Sequence, residues 1–441
     1  MFAYHVRLAL LSLKKNPALT ALIIGAFALG IGVCMTTLTV YYQMSNNPIV
    51  HKNDVLYAVA LDSWDPVEPY DDDQPEQAPW ELTWRDMMAL RQSDIPTHHA
   101  AMFKGSFVVE PESDDVLPFE ETVRMTDGGF FSLFDIPFQY GAPWDTTADE
   151  NGEYVVVLSR EMNEKLFGGQ NSVGRTLLLD KLSFTVTGVI DNWNPAPKYY
   201  DVNNGAFDNA EQMFMPLTVA FPLERFSDGN TNCWKDEDIN DYQAFLNSEC
   251  VWFQYWAQLD APEQKARYQD FLDAYVMEQK QLGRFERPLN NRLTPVDEWL
   301  QVRQVVADDS KVLLGVSFMF LAVCLFNTVG LLLAKFIGKS GEIGLRRALG
   351  ASRTAVFGQQ LVEVGVIGVA GGLLGLGLAV LGLRAVRKIY IGLDQLVDLT
   401  SIDVSMVLAA LGISIAASVL AGLYPAWRVC RVSPASYLKT Q

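Results

Sequence analysis

Few residues in this 441-residue chain sit at spacings that could do covalent chemistry. Gly338-Lys339-Ser340 imitates the end of a phosphate-binding loop, in which backbone amides and a lysine cradle phosphates. The full motif needs its first glycine where this chain has Leu333, and a strand where this chain has an apolar helix. The triplet is therefore no nucleotide site, and no complete G-x-x-x-x-G-K-[ST] occurs elsewhere. His5, His51, His98 and His99 have no metal-ligand spacing, H-E-x-x-H is absent, and no serine stands in a nucleophile elbow. An enzyme has no support beyond generic carboxylates, and neither a metal nor a cofactor is expected.

Two other groupings are more informative. Gly341 to Leu383 opens as a short basic segment with Arg346, Arg347 and Arg353 spaced by small residues. It continues as an apolar stretch whose only charge is Glu363. An acid within a membrane span is functional by default; snorkelling to the headgroups or pairing with an arginine of the basic segment is the structural alternative. Val356–Leu383 as one helix is about 42 Å long at 1.5 Å per residue, more than a hydrocarbon core of about 30 Å. Gly365, Gly368, Gly372, Gly375, Ala379 and Gly382 follow steps of three and four, a small-residue seam against which another helix can pack closely. The second grouping is cysteine. Cys34 and Cys324 fall in apolar helices as packing residues, and Cys430 near a basic end. Cys233 and Cys250 share the acidic middle of the chain. A bridge between them closes a loop of about 18 residues and contributes roughly 3 kcal/mol; the alternative is two buried thiols.

The elements that position these residues are legible from charge. The overall net charge of −18 hides a partition. Residues 1–50 carry +3, residues 308–441 carry +5, and the middle holds 19 basic against 45 acidic residues. An acidic domain between basic, apolar ends describes a membrane protein with one large insertion. Nucleic acid is excluded as a partner, because the middle lacks a basic stripe.

In order, Phe2–Lys15 is an amphipathic helix at the membrane face, stopped by Asn16-Pro17. Ala18–Tyr42 follows without a charge; Ala26-Phe27-Ala28 resembles a signal-peptidase site, but the apolar run continues well past it. Residues 51–307 alternate strand and helix. The expected elements are strands Val55–Leu61, Phe107–Glu110, Tyr154–Leu158 and Val251–Leu259, and helices Thr83–Gln92, Arg160–Phe167 (capped by Ser159) and Ala261–Gln281. A hairpin turns at Asp180-Lys181 within 175–191, and Asn192–Tyr200 is a loop. Trp252 and Trp256 share one face of their strand, which reads either as a docking surface or as a strand buried on both sides. Pro295–Asp309 is a stalk running into helix two, Val312–Ala334, and Val404–Leu423 is helix four. The expected organisation is therefore 1–17 amphipathic helix, 18–50 first span and stalk, 51–293 α+β domain, 294–334 stalk and second span, 335–355 basic segment, 356–383 third span, 384–403 loop, 404–423 fourth span and 424–441 tail. Flanking Lys and Arg place both termini and the 335–353 loop in the cytoplasm; Arg384, Arg387 and Lys388 are the exception, offset by Asp394, Asp398 and Asp403.

Three stretches carry a family resemblance. E-I-G-x-R-R-A-x-G-A-S from Glu342, leading into the Gly-rich helix, resembles the signature of MacB-like and FtsX-like (type VII) permeases of ABC transporters. The L-F-G-G, V-G-R-T and V-x-G-V-I elements of 155–190 resemble the core of that family's periplasmic domain. Gly422 to Arg428 resembles its terminal G-x-x-P-A-x-R element. The resemblance implies a fold of four transmembrane helices with a large α+β periplasmic domain inserted between helices one and two, in a bacterial inner membrane. It implies that Glu342, Ile343, Gly344, Leu345, Arg346, Arg347, Gly350 and Ala351 form a coupling segment that docks on a separate ABC ATPase subunit, which binds the ATP. In the contact so implied, Ile343 and Leu345 insert into a groove of the ATPase. A second permease chain, membrane lipid and, for an exporter, a periplasmic adaptor and outer-membrane channel are the further implied partners. The implied mechanism is mechanotransmission: ATPase closure moves the coupling segment and, through the stalk, the periplasmic domain, exporting peptide, drug or lipid. The other implied role is a non-transporting regulator that activates an envelope enzyme or sensor kinase.

Overall fold

The computed structural model describes residues 2–112, 116–389 and 404–431. They form two compact units, one from both ends of the chain and one from Asn46–Val305. Helix α1 (Phe2–Lys15) ends on Lys14 and Lys15, and α2 (Pro17–Met44) starts on a proline whose missing N–H costs nothing at a first turn. Ile23, Phe27, Ile31 and Cys34 of α2 are buried, whereas Leu22, Leu29 and Val33 are exposed. Such outward leucines suit a lipid solvent.

The middle unit is one ten-stranded mixed sheet with helices on both faces. Its elements are β1 (Leu56–Ala60), α3 (Trp84–Leu90), β2 (His98–Glu110), β3 (Phe119–Thr126), α4 (Gly129–Leu133), β4 (Phe138–Gly141), α5 (Thr146–Asn151), β5 (Val155–Leu158) and α6 (Arg160–Phe167). They continue with β6 (Thr176–Leu179), β7 (Leu182–Ile190), β8 (Met213–Pro216), α7 (Tyr242–Leu246), β9 (Gln254–Gln258), α8 (Pro262–Gln281), β10 (Arg292–Pro295) and α9 (Val296–Val302). The strand order is β10-β1-β9-β2-β3-β8-β5-β7-β4, with β6 pairing β2 and β7. Alternation separates two cores: Tyr57, Val59, Ala101 and Phe103 face one, while Leu56, Ala58, Ala100 and Met102 face the other. Ser159 accepts from Met162 N at 2.9 Å to start α6, which ends at Gly168 with φ +64°. Asp180 and Lys181 both take positive φ, as a two-residue β6–β7 hairpin requires.

Several expectations change here. The strand expected at 107–110 begins at His98, and β3, β4, β8 and β10 lie outside every expected strand. Trp252 and Trp256 are each 1% exposed, so the strand is buried on both sides and presents no docking surface. The stalk expected over 295–309 is broken: α9 stops at Val302, Gln304 takes φ +46°, and a new helix starts at Asp308. Trp299 holds α9 on the domain by packing edge-on against Trp80 and Trp256 and donating from Nε1 to Tyr199 O at 2.9 Å.

The remaining helices are α10 (Asp308–Gly338), α11 (Ser340–Ala348), α12 (Arg353–Ile389) and α13 (Val404–Cys430). Pro17–Met44, Asp308–Gly338, Arg353–Val386 and Met406–Cys430 are each long and apolar enough to cross a bilayer, with mean hydropathy 2.3. The protein is thus a multi-pass membrane protein whose α+β domain is inserted between its first two spans. Helix α12 continues beyond Leu383, so Arg384 and Arg387 extend a helix rather than open a loop; 390–403 and 432–441 lie outside the described residues. Helix α13 does not close at Leu423 but runs through Pro425, because Ala421, Ala426, Val429 and Cys430 continue one buried face.

Candidate coupling site

Helix α11 holds six of the eight expected coupling residues in nine residues. Glu342 starts it and Arg346 and Arg347 end it, the arrangement that the helix dipole favours. Arg346 Nη2 donates to Glu342 Oε1 at 2.7 Å, one turn away, and Arg346 Nη1 to Gln359 Oε1 of α12 at 2.8 Å. Arg347 Nη1 donates to Cys430 O at 3.1 Å. Lys15 Nζ of α1 donates to Glu342 Oε2 at 3.1 Å, and that ammonium is the main reason the carboxyl titrates below its ordinary range. Ile343 and Leu345 separate: Ile343 is 6% exposed and packs with Phe27, Phe336 and Val364, so it is unavailable to a partner groove, while Leu345 is 57% exposed. Leu349, outside the expected set, is 80% exposed. Its signal in the sequence was its place one turn after Leu345. Gly350 takes φ +101°, and its α-carbon has no neighbour crowding it, so the turn into α12 needs a backbone conformation and not space. Ala351 packs at the margin of the same helical core.

Behind α11 lies the intramembrane acid. Glu363 is 2% exposed and pairs with lysines of α10 and the residue after it rather than with an arginine. Lys335 Nζ stands 2.9 Å from Glu363 Oε1, and Lys339 Nζ donates to both oxygens at 2.9 and 3.1 Å. Ser12 Oγ of α1 donates to Glu363 Oε1 at 2.6 Å. A glutamate on α12 thus ties α1, the end of α10 and the start of α11 together. The sequence left its partners open because Lys335 and Lys339 read as ordinary flanking charges.

This arrangement sits in a chain with clear relatives. The MacB-like periplasmic core domain matches residues 20–274, and the FtsX-like permease C-terminal domain matches 314–434. The chain belongs to the MacB-like, FtsX-like permease family. The pyoverdine export ATP-binding/permease protein PvdT of Pseudomonas fluorescens is 21% identical over 71% of this chain and 42% of its own length. The macrolide export ATP-binding/permease protein MacB of Bdellovibrio bacteriovorus is 22% identical over 68% of this chain and 41% of its own. The chain therefore spans about two fifths of the length of these relatives. The periplasmic region of MacB from Actinobacillus actinomycetemcomitans aligns with 58% of this chain and 94% of its own at 11% identity and a TM-score of 0.36.

In this MacB-like permease the glycine seam divides between two neighbours. A Cβ on Gly368 would run into Ser418 Oγ of α13, and one on Gly372 would lie 2.7 Å from Ser414 Oγ. Ser414 Oγ donates to Gly368 O at 2.6 Å across that contact. Gly375 instead faces α2, where a Cβ would meet Ile31 Cβ at 2.9 Å, and Gly371, outside the seam, meets Phe27 Cβ at 2.7 Å. A Cβ on Gly365 would meet nothing within 4 Å. In the α+β domain Cys233 and Cys250 are joined by a disulfide, whereas Cys34, Cys324 and Cys430 are buried free thiols.

Proposed function

We propose that this chain is the permease subunit of an ABC exporter in a bacterial inner membrane, coupling ATP hydrolysis by a partner ATPase to motion of its periplasmic domain. The observation that carries this is the outer edge of α11. Glu342, Leu345, Arg346 and Leu349 form a small amphipathic surface, and α11 is bound to α1 by the Lys15–Glu342 ion pair and to α12 by packing. Force on that edge is passed to two helices at once. The orientation with α11 and both termini cytoplasmic is supported by the basic residues that cluster around α1 and α11 against the acidic middle of the chain. A disulfide confined to the middle domain suits an oxidising periplasm. A second permease chain is the partner expected within the transporter, and a periplasmic adaptor with an outer-membrane channel is compatible with this role. The exported cargo is a peptide, drug or lipid, in keeping with relatives whose names specify pyoverdine and macrolide export.

The test is ATP turnover by the partner ATPase in proteoliposomes. Glu342→Lys reverses the charge that Lys15 and Arg346 orient, and Leu345→Asp removes the exposed apolar contact. Both variants insert normally and lower permease-stimulated turnover about tenfold, the effect of losing roughly 1.4 kcal/mol of contact. Wild-type turnover and export in both would show that α11 is only a basic anchor.

A further inference from the structure

Between α1, α11 and the start of α12 lies a cavity of about 160 Å³, far larger than one water needs. Its walls hold an uneven set of charges. Lys15 and Arg346 share Glu342, and Lys339, with Lys335 behind it, shares Glu363. Of the residues that line the cavity, Lys15, Lys339 and Arg346 face Glu342 and Glu363, leaving one positive charge in excess beside apolar spans, with Lys335 behind the wall. Gln360 lines the same cavity at 3% exposure, and its Oε1 has no hydrogen-bond partner among the described residues. A buried acceptor without a donor is costly, so the site is incomplete as the protein alone builds it.

What completes it must bring negative charge for the basic excess and a donor for Gln360. A phosphodiester supplies the first, and a hydroxyl on its headgroup the second. The location selects the source, because α1 carries Leu10 and Leu11 more than half exposed, Leu11 lining the cavity itself, as a helix lying in the lipid interface does. The same two helices, α1 and α12, also border an almost wholly apolar groove of about 580 Å³ lined by Val6, Leu361, Gly365, Val369 and Leu373, suited to an acyl chain. We propose that this cavity binds the headgroup of an anionic, hydroxyl-bearing phospholipid, phosphate against Lys15, Lys339 and Arg346 and hydroxyl donating to Gln360 Oε1. An ammonium headgroup would offer Gln360 a donor but would meet the excess of cations, so phosphatidylglycerol is preferred over phosphatidylethanolamine. The site needs no ATPase and is independent of what is exported. A lipid there bridges α1 to α11, making the setting of the coupling helix dependent on bilayer composition.

The test is lipid retention by the purified full chain, measured by native mass spectrometry with phosphatidylglycerol, phosphatidylethanolamine and phosphatidylcholine in competition. Phosphatidylglycerol is retained at least tenfold over phosphatidylcholine. Lys15→Gln with Arg346→Gln lowers that retention by roughly fivefold per basic residue removed. Gln360→Leu leaves every charge in place and removes the acceptor, and it also weakens phosphatidylglycerol selectively; it decides the matter if the double variant fails to insert. Equal retention of the three lipids, a preference for phosphatidylethanolamine, or undiminished binding by folded Gln360→Leu would overturn the proposal. Displacement by millimolar inorganic phosphate as effective as by lipid would assign the cavity to a free anion and overturn the lipid site as well.

Discussion

Glu81 shows how a single buried acid can set the pH response of the α+β domain. It is fully buried, accepts from Gln254 Nε2 at 2.6 Å and from Asn230 Nδ2 at 2.9 Å, and has no cation in contact among the described residues. Burial, reinforced by the negative charge of Asp201, pushes its carboxyl up to about 7. The nearby cations are already engaged. Arg124 pairs with Asp201 and Glu211, and Lys198 stands 3.3 Å from Glu211. Burial alone would raise Glu211, but Arg124 and then Lys198 overcome it and hold that carboxyl far below its ordinary range. The two acids act in opposite windows. Folded Glu81 keeps its proton between its ordinary value near 4.5 and about 7, where the unfolded chain has lost it, so its contribution to stability falls as pH rises through that interval. Glu211 contributes stability that is present above its ordinary range and lost at lower pH. Glu81→Gln therefore flattens the loss of thermal stability from pH 5 to pH 8, recovering on the order of 3 kcal/mol at the alkaline end. An unchanged slope in the variant would show that Glu81 is ionised in the fold throughout. None of this was legible in the sequence, where Glu81 is one acid among many in an acidic stretch and its burial depends on strands far away in the chain.

The helices repeat the lesson with glycine. Spacing along α12 identified a small-residue face, and Gly368 and Gly372 do meet α13 closely. The period could not assign partners, because successive steps of three and four drift around a 3.6-residue turn. The seam consequently passes from α13 at Gly368 to α2 at Gly375, while Gly365 faces open space. Gly372→Leu should thus reduce the thermal stability of the detergent-solubilised protein by several degrees, since the new side chain meets Ser414 and Leu411. Gly365→Leu, one helical region away, should leave it unchanged or slightly raised. Equal losses in the two variants would mean that glycine matters here for backbone freedom and not for contact. Elements that depend on local signals were readable: the Ser159 cap, the Gly168 stop, the Asp180-Lys181 turn and four apolar spans. Elements made by distant partners were not. Strand β3 pairs in parallel with β8, Val123 beside Met213, at a separation of ninety positions, and no local period announces it. Within the basic segment, charge and small-residue pattern located α11, but only the fold could turn Ile343 inward and leave Leu345 and Leu349 outside.

At the scale of the whole molecule, stability and compartment meet in the disulfide. Cys250 is 1% exposed, and the bridge closes 17 residues of sequence between Asn232, which pairs with Val251, and the strand β9. Cys233→Ser with Cys250→Ser should cost about 3 kcal/mol of domain stability. Non-reducing peptide mapping of protein purified from wild-type cells should recover the 233–250 link; free, alkylatable thiols at both positions would refute both the bridge and the oxidising location it supports.

One further property follows from the pairing of the domain's first and last strands. Tyr57 of β1 stands directly opposite Pro295 of β10, so a stretch of roughly 260 residues begins and ends at one sheet edge. Before the domain folds, bringing α2 and α10 together means closing that whole stretch as a flexible loop. Afterwards the effective loop is on the order of ten residues, and the closure cost drops by about 3 kcal/mol. The folded α+β domain therefore lowers the closure cost of bringing α2 and α10 together. A variant that delays its folding should leave α2 and α10 unassociated in the bilayer, although no residue of either helix has changed.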